Sequence, residues 1–345
     1  MPIERLKIGA KAIGLHKAIV GPRFTERNVL TNTPWTFVDL WLKREKHANA
    51  VLFWEQARQF YDASINLPMQ SSPLLLYYSF MNAAKALLEV KGIQYQPHHG
   101  VRENPPGQPR RQIALSTLEV RIKQTGIVPS LSAHFGELEA SRVHSMEDIF
   151  YNLPYVHRTF CLSYKSKKDM FFPLRDCEYV RDSDNGQVYF RAKIGSDWSR
   201  QPLEAYFPHA IVPDPAENNG IRSRNHVVFA AANAASAQEI GALASLHQNL
   251  RTDLYYINGA QTLWYIKTTG RNRLDRRTPT LTLAAMHRLS EICRYRPVEL
   301  MAFMNGQRNW LLNEFVTMSP VQYFDEIASE ITGHQFLIPN VRGPS

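Results

Sequence analysis

The 345-residue sequence predicts an α+β fold, a mainly helical bundle with a β-hairpin-containing middle region. Three observations carry this expectation. Apolar residues recur at three- and four-residue spacings in the N-terminal half and again near the C-terminus. Two Asn-Gly pairs sit between β-prone runs in the middle. Proline or glycine punctuates the ends of the helical runs. Together they predict an irregular basic segment over 1–34, a helical region over 35–172 and a β-containing region over 173–270. Helices over 271–345 then pack back on the bundle.

Taken in order, "HANAVLFWEQARQFYDASIN" (His47–Asn66) places Val51, Trp54, Ala57 and Tyr61 on one side of a helix. "SPLLLYYSFMNAAKALLEVKG" (Ser72–Gly92) has Ser72 as a cap, Pro73 at the first helical position and Gly92 just past the end. Both of its flanks are apolar, which predicts a central helix. "RENPPGQPRR" (Arg102–Arg111) is a proline-rich basic loop. "SMEDIFYNLPYVHRTFCLSY" is a helix capped by Ser145 and interrupted at Pro154. Asn185-Gly186 and Asn258-Gly259 each predict a hairpin, because a tight turn needs the positive φ angles these residues tolerate. "NHVVFAAAN" reads as a strand and "AQEIGALASLHQNL" as a helix packed on the strands. A helix beginning at Thr278-Pro279 must break at Pro297, and two more follow near Asn309–Met318 and Val321–Thr332.

The formal charge of +9 points to an anionic partner: nucleic acid (RNA or DNA), a nucleotide or an acidic protein face. Three widely spaced cysteines fit a reducing cytoplasm and no disulfide framework. No apolar run is long enough for a membrane span, and no secretory leader is evident.

Catalytic signatures are sparse. G-x-G-x-x-G, the P-loop, C-x-x-C, H-E-x-x-H and G-x-S-x-G do not occur, so no metal and no cofactor are predicted. "DSDNG" lacks the spacing and final glutamate of a calcium loop. Glu89-Val90-Lys91 falls on a helix rather than the strand a nuclease would need. The candidates that remain are the pair His98-His99, which titrates near neutrality, and Arg294 and Arg296, charges within an otherwise apolar helix. Arg271, Arg273, Arg276 and Arg277 form the densest positive cluster. They follow the aromatic run of Tyr255, Tyr256, Trp264 and Tyr265 and precede a helix start, a pattern suited to phosphates and stacked bases.

The stretches "SPLLLYYSFMNAAKALL", "HHGV" and, about 200 residues on, "LSEICRYRP" resemble the YaaC-like proteins, a bacterial group. The first stretch is also similar to the tyrosine-pair helix of the HEPN superfamily of small helical bundles. The YaaC-like resemblance implies no reaction. The HEPN resemblance implies a metal-independent RNase whose active members carry an arginine followed by a histidine with four to six residues between them. None of the 12 histidines meets that spacing; Arg222 with His226 falls one short. The expectation is therefore a cytoplasmic protein that acts by binding, as a component of a nucleic-acid-associated or antiviral-defence-type assembly. Two alternatives stand beside it. One is an RNase or nucleotide-processing enzyme using His98 or His99 with Arg294 or Arg296. The other is a protein–protein adaptor that binds no nucleic acid.

Overall fold

The computed structural model describes residues 3–104, 114–195, 203–231, 234–304, 306 and 309–339. Most of the proline-rich loop, from residue 105 on, and the end of "NHVVFAAAN" lie outside them. The chain forms two compact units, one from residues within 1–32, 170–273 and 333–345, the other from 33–169 and 274–332. Among the described residues, no helix is long and apolar enough to cross a membrane.

The helices, in chain order, are α1 (Trp35–Arg44), α2 (Ala48–Ser64), α3 (Ser72–Val90), α4 (Ile127–His134), α5 (Met146–Tyr151), α6 (Pro154–Ser163), α7 (Ala237–Leu250), α8 (Thr278–Tyr295), α9 (Pro297–Met304) and α10 (Asn309–Thr332).

The first unit is built on an eight-stranded, wholly antiparallel sheet curled into a half-barrel. Its main path runs Ile211–Pro213, Gly220–Ser223, Gln187–Ile194, Phe171–Asp182, Leu263–Lys267, Leu254–Ile257. Phe171–Asp182 is twelve residues long and carries a bulge between Arg175 and Glu178. Its first part pairs with Leu263–Lys267, and its last residues pair with Ile3–Arg5. A bulge adds local twist, which suits a strand serving two partners on one edge. Leu243, Leu246 and Leu250 of α7 join Phe190, Tyr179, Ile221 and Ile266 in the core. A reciprocal capping box between Ser236 and Glu239 starts α7.

This sheet corrects the fold class. A mainly helical bundle with hairpins inserted in its middle is not what forms; helix and a large antiparallel sheet share the chain. The physical reason is strand length. Ile3–Arg5, Ile211–Pro213, Gly220–Ser223 and Val227–Val228 are two to four residues long, too short to show a period of two, and Ile3–Arg5 and Val227–Val228 pair with strands distant in the sequence. Strands also precede Trp35, at Ile3–Arg5, Lys7–Ile8, Lys11–Ala12 and Val29–Leu30.

The second unit holds α1–α6 and α8–α10, with a three-stranded sheet of Val101–Asn104, Glu119–Ile122 and Val143–Ser145. As its pattern predicts, α3 is central and packs on α2, α4, α8 and α10. Phe80 stacks on Tyr323 of α10 at 4.3 Å between ring centroids, and Tyr323 Oη donates to the Phe80 carbonyl at 3.1 Å. Ser145 caps α5, its Oγ accepting from Asp148 N at 3.0 Å, and Pro154 opens α6. Two local expectations need amending. The cap position of α3 is Ser71, with Ser72 already helical. The two predicted C-terminal helices are one, α10, with Pro320 inside it; the proline removes an amide donor without ending the helix.

Candidate functional site

The histidine pair is held by its backbone. The amides of Ile127 and Val128, at the start of α4, donate to the carbonyls of His98 and His99 at 3.0 and 3.1 Å. Those amides have no partner within their own helix, so the His-His segment supplies one. Gly100 (φ +75°) and Gly126 (φ +117°) lie so close that a Cβ on Gly126 would sit 2.5 Å from the Gly100 Cα. Only glycine fits that approach. The result is a pinned loop, not a mobile one.

The two histidines then diverge. His98 Nδ1 accepts the Gly100 amide at 3.2 Å, and its Nε2 lies 2.9 Å from Gln96 Oε1 and 3.3 Å from Thr125 Oγ1. All its polar atoms serve the turn. His99, exposed at its outer edge, meets the Tyr77 hydroxyl of α3 through Nδ1. Its ring centroid lies 5.3 Å from that of buried His287 on α8, and the Tyr77 and His287 rings meet edge-on at 5.0 Å. Sequence reasoning missed His287 and Tyr77 as partners of His99, because each pair is separated by at least 22 residues.

The surroundings are electropositive. Burial, followed by His99, Arg294, Arg288 and Lys123, pushes His287 down to about 3. Burial, then Arg294, Lys85, His98 and Lys123, lowers His99. Both imidazoles are therefore neutral at pH 7. His287 Nδ1 is buried without a hydrogen-bond partner and stands 3.7 Å from Glu291 Oε2. Arg288 is buried and neutralised, its guanidinium pairing with Glu103 and, at 3.2 Å, with Glu291. Burial raises the Glu291 carboxyl against the opposing pull of Arg288. Arg294 is exposed, donates through Nε to the Ser290 carbonyl at 3.2 Å and forms no ion pair among the described residues. Lys123 is exposed and Lys85 half-buried; neither forms an ion pair among the described residues. Arg296 is placed apart in its bonding, paired with Glu299. Of the four catalytic candidates, His99 and Arg294 share this cluster.

The arginine run 271–277 is differently disposed. Arg271 is exposed. Arg273 donates to Asp253 Oδ1 at 2.6 Å and to the Lys267 carbonyl at 2.9 Å. Arg276 is buried, bonded to Glu137 at 3.2 Å, to His144 Nε2 at 2.9 Å and to the Ser141 carbonyl at 2.7 Å. Arg277 is buried at the cap of α8, its amide on Glu137 Oε1 at 2.8 Å. Arg276 and Arg277 are thus buried and anchored within the helical unit. The β-bulge of the sheet unit lines a cleft with Arg5, Arg191 and Lys193, but Glu178 pairs with Arg5 and Arg191 at 3.2 and 3.0 Å, and Glu217 with Lys193 at 3.0 Å.

Comparison with known proteins gives one positive result. No curated protein and no solved structure matches the chain. The family model for "YaaC-like Protein" matches residues 22–331, which takes in α3, the His98–Gly100 loop and α8. The chain belongs to the YaaC-like family.

Proposed function

We propose that the protein acts by binding nucleic acid, with the Tyr77–His99–His287–Arg294 cluster as the contact for a phosphate. The observation that carries this reading is the set of three cations, Lys85, Lys123 and Arg294, that form no ion pair among the described residues and act on a pair of neutral histidines that opens to solvent at His99. An arrangement of that kind attracts an anion, and guanidinium and ammonium groups are the usual phosphate donors. The net charge of +9 works in the same direction. By analogy with the HEPN-like character of α3, the protein would serve in a nucleic-acid-associated or defence-type assembly.

The test is a titration of fluorescent single-stranded RNA between 50 and 200 mM salt. Replacing Lys123 and Arg294 together with alanine should weaken binding to all sequences alike. It should flatten the plot of log affinity against log salt by about 0.7 for each phosphate that the variant no longer neutralises. An unchanged slope removes the cluster from the interface. Absence of wild-type binding at the lowest salt overturns the reading and leaves the adaptor alternative in front.

A second reading rests on the hydroxyl–imidazole–imidazole array of Tyr77, His99 and His287, a set able to move protons at an RNA 2′-hydroxyl. It requires cleavage of labelled RNA in EDTA that disappears in His99→Ala.

A further inference from the structure

A second cluster lies elsewhere in the helical unit. His157 and Cys161 are four residues apart on α6, which puts them on one face. Asp169 lies beyond the end of that helix. His157 Nε2 is 3.4 Å from Cys161 Sγ and 3.8 Å from Asp169 Oδ1, and the three atoms all fall within 4.8 Å of one another. A tetrahedral ion with bonds of about 2.0–2.3 Å spaces its ligand atoms about 3.3–3.8 Å apart. The side chains are thus already near the separations such an ion imposes.

The orientation of each donor supports this. His157 is buried, and its Nδ1 lies 2.8 Å from the Tyr151 carbonyl. A carbonyl only accepts, so Nδ1 carries the hydrogen, and the Nε2 lone pair is aimed at Cys161 and Asp169. Metal-binding histidines are fixed in this way by a backbone or carboxylate acceptor. Asp169 Oδ1 is buried and has no hydrogen-bond partner; its nearest cation is Arg158 Nη1, 3.7 Å away on an exposed side chain. A buried carboxylate oxygen without a hydrogen bond is costly, and a cation relieves that cost.

We propose that His157, Cys161 and Asp169 form a Zn²⁺-class metal site. The donor set of imidazole nitrogen, thiolate sulfur and carboxylate oxygen suits a borderline-soft divalent ion. Thiolate and carboxylate together cancel its two charges. Three protein ligands leave one position for water or a further ligand, and Cys161 and Asp169 are only half-buried, so solvent reaches the site. A Cys-His-Asp nucleophile is the rival chemistry. There the carboxylate holds the imidazole from the nitrogen opposite the nucleophile, whereas here Asp169 faces the same Nε2 as Cys161, and Nδ1 is taken up by the Tyr151 carbonyl. Binding an ion would take the proton from Sγ, releasing one proton to solvent for each metal bound.

The test uses the full chain stripped of metal with a chelator and then titrated with Co²⁺ and Zn²⁺. Co²⁺ should bind with one-to-one stoichiometry and give a near-ultraviolet thiolate-to-metal band, which added Zn²⁺ displaces. Metal-free chain titrated with Zn²⁺ should release one proton per ion near pH 7. Cys161→Ser should abolish the Co²⁺ band and weaken Zn²⁺ binding about tenfold or more, and Asp169→Asn should weaken it comparably. Circular dichroism of the near-isosteric Cys161→Ser chain separates loss of the ligand from loss of the fold. If no thiolate band forms, or if it persists in Cys161→Ser and so belongs to Cys177 or Cys293, the proposal fails.

Discussion

Single buried polar residues in this protein are explained by counting donors and acceptors. His247 is fully buried in the sheet unit, with the Tyr179 hydroxyl 3.0 Å from Nδ1 and the Ala18 carbonyl 3.0 Å from Nε2. The carbonyl can only accept, so Nε2 carries the hydrogen and Nδ1 takes the hydroxyl proton. That satisfies the neutral imidazole completely. Burial, then Arg251, lowers His247 to about 3. A lowered folded value means that the unfolded chain binds the extra proton more readily. The stabilisation is therefore complete above the ordinary value of about 6.5 and is lost as pH falls toward 3, at up to about 1.4 kcal/mol per pH unit. Denaturant unfolding between pH 7.5 and 4.5 should show this slope, and His247→Gln should reduce it. An equal slope in the variant would assign it to other groups. Arg276 gives the second prediction at this scale. Arg276→Met leaves the buried Glu137 carboxylate without its guanidinium and should cost about 3–5 kcal/mol, whereas adding Glu137→Leu should restore most of it. If the double variant is no more stable than Arg276→Met, the ion pair is not the source of the loss. None of this was legible in the sequence. The arginines at 276 and 277 looked like a surface patch because local composition does not reveal burial, and their partners lie more than 130 residues upstream.

At the scale of elements, legibility follows length and periodicity. The helices α2, α3, α7 and α8 were readable because each repeats its apolar positions over several turns. The two hairpins were readable from turn chemistry, but for different reasons than the shared Asn-Gly suggests. Gly186 adopts φ +72° in its turn, and Asn185 Oδ1 accepts the Gln187 amide at 2.9 Å. Gly259 does not take the left-handed conformation; there a five-residue connection joins Leu254–Ile257 to Leu263–Lys267. The three-stranded sheet of the helical unit escaped notice because its strands span only three or four residues each. In α3, Phe80→Ala should destabilise by about 3–5 kcal/mol, since the ring is fully buried against Tyr323 and Phe324. Tyr78→Ala should cost less, because Tyr78 is half-buried. Equal losses in chemical denaturation would contradict that ordering. The His98-His99 loop was legible as a candidate, but not its division of labour, which depends on tertiary partners on α3, α4 and α8.

For the whole molecule, the sheet unit collects three separated stretches of chain, and the outermost two meet. Phe336–Leu337 lies parallel to Val29–Leu30, and Phe336 also offers its carbonyl to the buried ammonium of Lys17 at 2.6 Å. Lys17 reaches Asn258 Oδ1 as well, at 2.9 Å. These ties fix an order in time. On a ribosome adding about 5–20 residues per second, roughly 15 to 60 s separate the appearance of Val29 from that of Phe336. Throughout that interval, Val29–Leu30 is available to other chains, while the helical segments in between can already form local contacts. A nascent chain of this protein therefore spends its vulnerable period with its beginning waiting for its end, and chaperone dependence should be concentrated in that first stretch rather than spread along the sequence.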